Sequence, residues 1–296
     1  MSSGFLRHRN KPKPLDLSSS NLWPRNRMVG ADYLYYILLL VAVGAFVYYL
    51  FTYRSLSLLY LPALLGGTLA TLIVSVISAI LAILFGWFGA LAHLSNIKPL
   101  HWLAVVYVEL IRGTPLLVQL FLWYFGIRLV LSNNSFDPHT ILFNVMTVLQ
   151  SNSLVPDSFD AYFYGILGLS FNYGAYLTEV FRTGILSVDR GQSESAMSLG
   201  LDARQTMRHI ILPQAVRVII PPLTNNFITL IQDSAFLSAI AVIELEYVTI
   251  GFALPQTLPD QKMFVFILGG LLYLAMCYPL SVVARLMERR LSSDRL

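Results

Sequence analysis

The sequence has little charge, a single cysteine and no glycine-rich phosphate loop, and each shortage excludes a class of protein. Charged residues form 12% of the chain, against about 25% in a typical soluble domain. Cys277 has no second cysteine to pair with, which excludes an internal disulfide and a cysteine-rich metal site. The pattern G-x-x-x-x-G-K-[S/T] is absent, so this chain does not bind ATP through a phosphate-binding loop of that kind.

Apolar residues are abundant instead, at 56% of the chain, with a mean hydropathy of +0.65. This composition favours an all-α polytopic membrane protein. The long apolar runs predict six spans, at residues 33–51, 66–92, 102–131, 161–186, 213–234 and 263–286. The polar segments are an N-terminal tail (1–32), an external insert (132–160), a loop (189–212) and a C-terminal tail (289–296). We expect 33–51 to be an extra helix and 60–288 to be the main membrane domain.

The basic residues indicate how these spans are oriented. Sixteen of the 20 lysines and arginines fall in segments that share one side of the membrane if the N-terminus is cytoplasmic. The others are Arg54, Arg112, Arg128 and Lys262. Because cytoplasmic loops are enriched in Lys and Arg, both termini and the loop 189–212 are predicted to be cytoplasmic.

The loop 189–213 has the pattern of two short, capped helices. Asp189 and Gln192 have capping-box spacing, and we expect Glu194 in the first turn, where it would suit the helix dipole. Gly200 is a typical left-handed stop. Asp202 and Gln205 repeat the start signal, and Pro213 predicts a break. Such an ordered loop is either a docking element for a soluble subunit or a self-contained amphipathic loop.

The loop motif G-Q-S-E-S-A-M-S-L-G, followed by I-L-P-Q-A, resembles the loop signature of ABC importer permeases. That signature has an E-A-A triplet, a glycine four residues after it and a downstream I-x-L-P; here Ser195 replaces the first alanine. The segments E-L-I-R-G-T-P-L-L-V-Q-L, E-V-F-R-T-G-I and L-P-P-L-T-N-N-F-I-T-L-I-Q-D-S-A-F-L resemble the polar amino-acid subfamily. One departure is Gln232, where that subfamily usually has a lysine.

The resemblance implies a type I ABC importer permease fold, with a five-helix core to which this chain adds one N-terminal helix. It also implies two ATPase subunits that bind ATP and Mg, a second permease chain (identical or homologous), an extracytoplasmic solute-binding protein and a bacterial inner membrane. The chain itself would have no catalytic residue, cofactor or metal, and would not bind nucleic acid. The residues expected to couple it to the ATPase are Asp189, Gly191, Gln192, Glu194, Ser195, Ala196, Gly200, Arg204, Arg208, Leu212 and Pro213.

Two further groups are candidates for the transport path. Asn225, Thr229, Gln232 and Asp233, with the adjacent Asn226, give the fifth span a polar face, although Pro221-Pro222 predicts a break in that span. We hypothesise that this face lines the path and that Asp233 senses an amino or guanidinium group; the alternative is that Asp233 bonds a neighbouring helix end and keeps the gate region rigid.

The second group consists of two i,i+3 pairs, Glu109 with Arg112 and Glu179 with Arg182. Gly113 and Pro115 follow the first pair, so the third span is either a helix with a structural ion pair or a broken helix that lines a pathway. We assign both pairs to gating or structure before substrate binding.

Three other functions compete with this one. An ion-coupled transporter or channel would be favoured by an inverted repeat or an intramembrane carboxylate relay, and a membrane enzyme by clustered His, Asp or Glu. The sequence offers none of these patterns. An ABC permease for a sugar, an anion or a peptide is opposed only by the subfamily motifs.

Overall fold

The computed structural model describes residues 31–133 and 159–293, and within these ranges the chain is helical apart from short connections. Almost all of the predicted N-terminal tail (1–32), nearly all of the predicted insert (132–160) and the last three residues of the C-terminal tail (289–296) lie outside the described residues.

The described α-helices are α1 (Ala31–Thr52), α2 (Arg54–His93), α3 (Lys98–Arg112), α4 (Leu116–Phe121), α5 (Arg128–Asn133), α6 (Phe159–Leu186), α7 (Arg190–Ser198), α8 (Ala203–Thr206), α9 (Leu212–Asp233), α10 (Leu245–Ala253) and α11 (Pro259–Ser293). Two π-helical turns, Leu122–Ile127 and Met207–Ile211, and a 3₁₀-helix, Ser234–Ile240, continue some of these helices.

Helix α1 belongs to a unit of its own, which ends at Thr52. Most of the apolar side chains that the structure describes between positions 37 and 51 are exposed, including Leu40 and Tyr48. A helix that is apolar on every side is typical of a membrane span, and the extra transmembrane helix at 33–51 stays a prediction.

The second unit, which begins at Tyr53, is built around α6. Glycines let α2 approach this helix closely. A Cβ added at Gly86 would lie 2.6 Å from the Leu177 Cβ, and one added at Gly174 would lie 2.7 Å from the Phe85 Cβ. Such close backbone approach through small residues is typical of membrane helices.

Length and composition make α2 and the stretch Pro259–Glu288 able to cross a membrane. Each of two bent pairs, Lys98–Arg112 with Leu116–Leu131 and Ala203–Ile240 with Leu245–Ala253, would add one span. Helix α6 is also long, at 28 residues, but most of its residues contact protein. It can therefore contain more polar and small residues than a helix surrounded by lipid.

The predicted break in the third span is confirmed, because α3 and the following helix meet at 109°. Pro115 precedes α4 in an extended conformation, and a Cβ at Gly113 would lie 2.8 Å from the Glu109 carbonyl oxygen. The predicted break at Pro221-Pro222 is wrong, because α9 runs through both prolines. Packing of α9 against α6 and α11 therefore outweighs the local preference of proline.

Candidate functional site

The cytoplasmic-loop candidate, residues 189–213, begins with a capped helix. The Asp189 side chain accepts a hydrogen bond from the Gly191 N–H at 2.6 Å. The predicted capping box with Gln192 is wrong, since the Gln192 N–H donates to the Asp189 backbone carbonyl instead. Glu194 is the fifth residue of α7 and lies beyond its first turn, so the predicted interaction with the helix dipole is also wrong, because that effect fades after one turn.

Gly200 ends α7 as the sequence predicted. Its φ of 87° is in the left-handed region. The Leu201 N–H donates to the Ala196 carbonyl at 3.2 Å, and the Gly200 N–H donates to the Met197 carbonyl at 3.0 Å. These two bonds form a Schellman motif, which satisfies carbonyls that the helix end would leave unpaired.

The second helix start is a complete capping box. The Gln205 N–H donates to Asp202 Oδ1 at 2.7 Å, and the Asp202 N–H donates to Gln205 Oε1 at 3.0 Å. The predicted break at Pro213 is wrong, because α8 continues through the π-turn Met207–Ile211 directly into α9. The π-turn ends two residues before Pro213, whose missing N–H and bulky ring a regular helix accommodates poorly.

The loop presents a mixed polar and apolar surface. Glu194, Ser195 and Ser198 are exposed, as predicted, and so are Arg204 and Arg208. Ala196 is buried, and α7 packs against α8 and the π-turn Met207–Ile211. Sequence reasoning missed Leu199, whose side chain is 81% exposed. The available signal was the pair of leucines in S-L-G-L, which are apolar residues inside an otherwise polar loop.

A polar cavity of about 280 Å³ lies where α4, α6 and α9 meet. Its lining residues are Thr114, Pro115, Leu116, Asn172, Tyr173, Tyr176, Asn226, Thr229 and Asp233. Three of the five residues predicted for the path are therefore brought together. Asn225 and Gln232 are exposed and do not line this cavity, because at 100° per residue the lining face of α9 is centred on Asn226, Thr229 and Asp233.

Asp233 is the carboxylate of this cavity. The Tyr173 hydroxyl donates to Asp233 Oδ2 at 2.7 Å. Tyr173 lies in the middle of α6, so this bond joins the end of α9 to the centre of the bundle. Sequence reasoning missed Tyr173 because nothing local links it to a residue 60 positions away.

A buried amide pair holds the break in the third span. Gln119 is 4% exposed, and its Nε2 donates to the Ile111 carbonyl at 2.8 Å and to the Thr114 carbonyl at 3.1 Å. Asn172 Nδ2 donates to Gln119 Oε1 at 3.0 Å. The break is thus a fixed wall of the cavity, since buried carbonyls that a helix break exposes are satisfied by side chains.

Of the two ion pairs considered from the sequence, one forms and the other does not. Arg182 bonds Glu179 at 2.8 Å, and His93 Nε2 lies 3.8 Å from Glu179 Oε1. The pair Glu109–Arg112 is not formed: across the described ranges, Glu109 makes no ion pair, and the Arg112 guanidinium lies over the Tyr176 ring, 5.4 Å from its centroid. The ring of Tyr176 offers Arg112 a cation–π contact.

A second, apolar cavity of about 240 Å³ adjoins the first and shares Tyr173 and Asn226 with it. Its other walls come from α2, α6 and α9. The polar and apolar cavities therefore meet at Tyr173 and Asn226. Among the described residues, no group of His, Cys, Asp and Glu is arranged to hold a metal ion.

Residues 82–293 match the family model described as "binding-protein-dependent transport system inner membrane component". The chain belongs to this family. It is a membrane permease component, and the predicted resemblance is confirmed.

Similar proteins support this assignment. The L-cystine transport system permease protein TcyB of Bacillus subtilis (strain 168) is 36% identical over 234 residues, covering 78% of this chain and 87% of the relative. The probable glutamine ABC transporter permease protein GlnM of the same organism is 35% identical over 205 residues, covering 69% and 82%. A crystal structure described as an amino acid ABC transporter with histidines is 33% identical, with a TM-score of 0.63, and covers 79% of this chain and 97% of that one.

Proposed function

We propose that this permease carries polar amino acids across the bacterial inner membrane as part of an ATP-driven importer that works by alternating access. The observation that carries the proposal is the polar cavity around Asp233, enclosed by helices of a permease whose relatives are named for amino acids. An intramembrane carboxylate beside a cavity of this kind is typical of a substrate pathway.

The proposed topology has six spans with both termini in the cytoplasm. Two ATPase subunits, which bind ATP and Mg, dock on the loop 189–213 of this chain and of a second permease chain. A solute-binding protein delivers the substrate on the opposite side. The basic-residue distribution and the ordered loop support this arrangement.

The loop and the cavity are joined by one continuous helical segment. From Ala203 the chain runs without interruption through α8, the π-turn and α9 to Asp233. Helix α9 alone has 22 residues and is about 33 Å long. When the ATPase subunits close and draw the loops together, this segment carries the displacement to the cavity.

Charge at the cavity suits a molecule with an amino group and a carboxylate. Asp233 would attract an ammonium or guanidinium group, and Arg112, which lies over the lining residue Tyr176, would attract the carboxylate. The Glu179–Arg182 pair does not line this cavity and is proposed to support α6 structurally or in gating.

The test is ATP-dependent uptake by the complete complex in vesicles, across a panel of amino acids. Asp233→Asn should reduce uptake of cationic and zwitterionic amino acids at least about tenfold, since hydrogen bonds between charged groups contribute about 1.5–3 kcal/mol. Glu246→Gln, on α10 and outside the cavity, is the matched control. Unchanged uptake of every substrate by Asp233→Asn would refute the role of Asp233, and purification without any ATPase subunit would refute the function.

A further inference from the structure

Glu244 is a carboxylate that is fully buried, with 0% of its surface exposed. It is the N-cap of α10, and it accepts hydrogen bonds from the Glu246 and Tyr247 N–H groups, both at 2.9 Å. It also accepts from the Tyr273 hydroxyl at 2.9 Å and from the Thr71 hydroxyl at 3.2 Å. One side chain therefore joins α10 to α2 and to α11.

The segment that ends at Glu244 begins directly after Asp233. It contains the 3₁₀-helix Ser234–Ile240 and a turn. Leu237, Ile240 and Val242 are at most 1% exposed, and they pack on Gly165 of α6, where an added Cβ would lie 2.9 Å from Leu237 Cδ2. We call Ser234–Glu244 the plug, because its buried apolar side chains pack on α6 next to the polar cavity.

Helix α6 shows on which side of the cavity this plug lies. Tyr173, which bonds Asp233, is near the middle of α6, whereas the Tyr162 hydroxyl donates to the Ile243 carbonyl near its first residues. These two tyrosines are eleven positions apart, which corresponds to about 16 Å along a helix. The plug therefore lies between the cavity and the Phe159 end of α6, away from the loop 189–213.

The turn within this segment is strained. Ala241 has φ 64° and ψ 26°, the left-handed conformation that alanine rarely adopts. A strained non-glycine residue persists only where its surroundings hold it. The surroundings here include the Tyr162 bond to Ile243 and the Glu244 cluster, both of which lie within three residues after Ala241.

We propose that Ser234–Glu244 is the outer barrier of the Asp233 cavity and that Glu244 is the positioning residue that latches it to α2 and α11. This barrier lies on the outer side in the membrane orientation of the proposed function, on which the proposal rests. Releasing Glu244 frees the barrier from two helices at once, which opens the cavity to the side from which the substrate arrives.

The chemistry of the latch requires an acceptor. All four partners of Glu244 donate hydrogen bonds, and an ionised carboxylate accepts only. A glutamine at this position would turn an N–H₂ donor towards at least one of them, leaving a buried donor unpaired. The same Thr71 hydroxyl accepts from the Leu245 N–H at 3.0 Å, so one hydroxyl makes two hydrogen bonds to the start of α10.

The experiment measures how fast a thiol in the cavity reacts with a reagent added from outside. The single cysteine is removed as Cys277→Ser, and Thr229→Cys places a thiol in the cavity wall of the complete complex in right-side-out membrane vesicles. A membrane-impermeant maleimide is added without ATP. Glu244→Gln should raise the labelling rate about tenfold or more, which is the effect expected of one unpaired buried donor.

Matched variants separate the latch from general damage. Glu246→Gln changes the adjacent carboxylate of α10 and should leave labelling as it is, and Thr71→Ser, which keeps the hydroxyl, should do the same. Thr71→Val and Tyr273→Phe each remove one donor and should raise labelling. If the Glu244→Gln variant does not assemble into the complex, Thr71→Val and Tyr273→Phe test the latch in its place.

A second reporter, Leu199→Cys, controls for orientation and for loosening of the whole protein. It should react only in inverted vesicles, at a rate that none of the latch variants changes. If Leu199→Cys reacts from outside, the orientation is wrong and the proposal falls with it. If Leu199→Cys reacts as expected while the Thr71, Tyr273 and Glu244 variants leave Thr229→Cys unchanged, the latch alone is refuted and the proposed transport function stands.

Discussion

Gly200 should be required for coupling because of its backbone conformation rather than because of crowding. A Cβ at this position would meet no atom within 4 Å, but the φ of 87° is one that other residues adopt at a cost. That cost is about 1–2 kcal/mol for an L-residue such as alanine. If the turn opens to relieve it, the two Schellman bonds are lost as well, at about 1 kcal/mol each.

These values predict a graded series. Gly200→Asn should be mildest, because asparagine tolerates the left-handed region. Gly200→Ala should reduce the population of the ordered loop about 5- to 30-fold, the factor that corresponds to 1–2 kcal/mol. Gly200→Pro should be most severe, since proline cannot reach this φ and has no N–H to donate to the Met197 carbonyl.

The measurement is the number of substrate molecules taken up per ATP hydrolysed by the complete complex in vesicles. Gly66→Ala is the matched control, because Gly66 also has open space around its Cβ position but lies in regular helix. Membrane insertion of every variant is checked by its yield. Equal uptake per ATP for Gly200→Pro and the unsubstituted chain would refute the reasoning.

Three further predictions concern single contacts. Asp202→Ala should remove the capping box at a cost of about 1 kcal/mol, seen as faster amide exchange at the start of α8, whereas Asp202→Asn should largely retain the cap. Glu194→Lys should leave the spans inserted but lower uptake per ATP, because it reverses an exposed charge on the loop; unchanged coupling would argue against docking at that face. Gln119→Leu should lower the thermal stability of the detergent-solubilised protein, because buried carbonyls lose their donor at a cost of about 1–3 kcal/mol, and an unchanged unfolding temperature would show that the break is held by other contacts.

Local signals in the sequence predicted local structure well. Gly200 and the Asp202–Gln205 pair were predicted correctly because a helix stop and a capping box depend on a few adjacent residues. The same reasoning overestimated the first start signal, where Asp189 bonds Gly191 rather than Gln192. Spacing shows that a cap is possible but does not choose between neighbouring N–H groups.

Features that depend on tertiary packing were harder to predict. The breaks expected at Pro213 and at Pro221-Pro222 are absent, because a π-turn and packing on neighbouring helices accommodate the prolines. Arg112 was expected to pair with Glu109 but contacts Tyr176 on another helix. Sequence spacing cannot reveal a competing partner that only the fold brings near.

The cavity was predicted only in part for the same reason. A polar face on α9 was visible in the sequence, and it did identify Asp233. The partner Tyr173, the wall residue Asn172 and Gln119, which bonds Asn172, come from other helices. Their polar side chains inside long apolar segments were the only signal, and such residues are usually buried against protein.

The uninterrupted helical segment from Ala203 to Asp233 has a thermodynamic consequence. If the ATPase subunits dock on the loop as proposed, and occupation of the cavity changes their affinity for it through this segment, then their docking changes the substrate affinity by the same factor, because coupling between two binding sites is reciprocal. Substrate affinity and partner affinity therefore cannot be tuned separately by substitutions that shift the segment. A variant selected for tighter substrate binding should also show altered affinity for its ATPase.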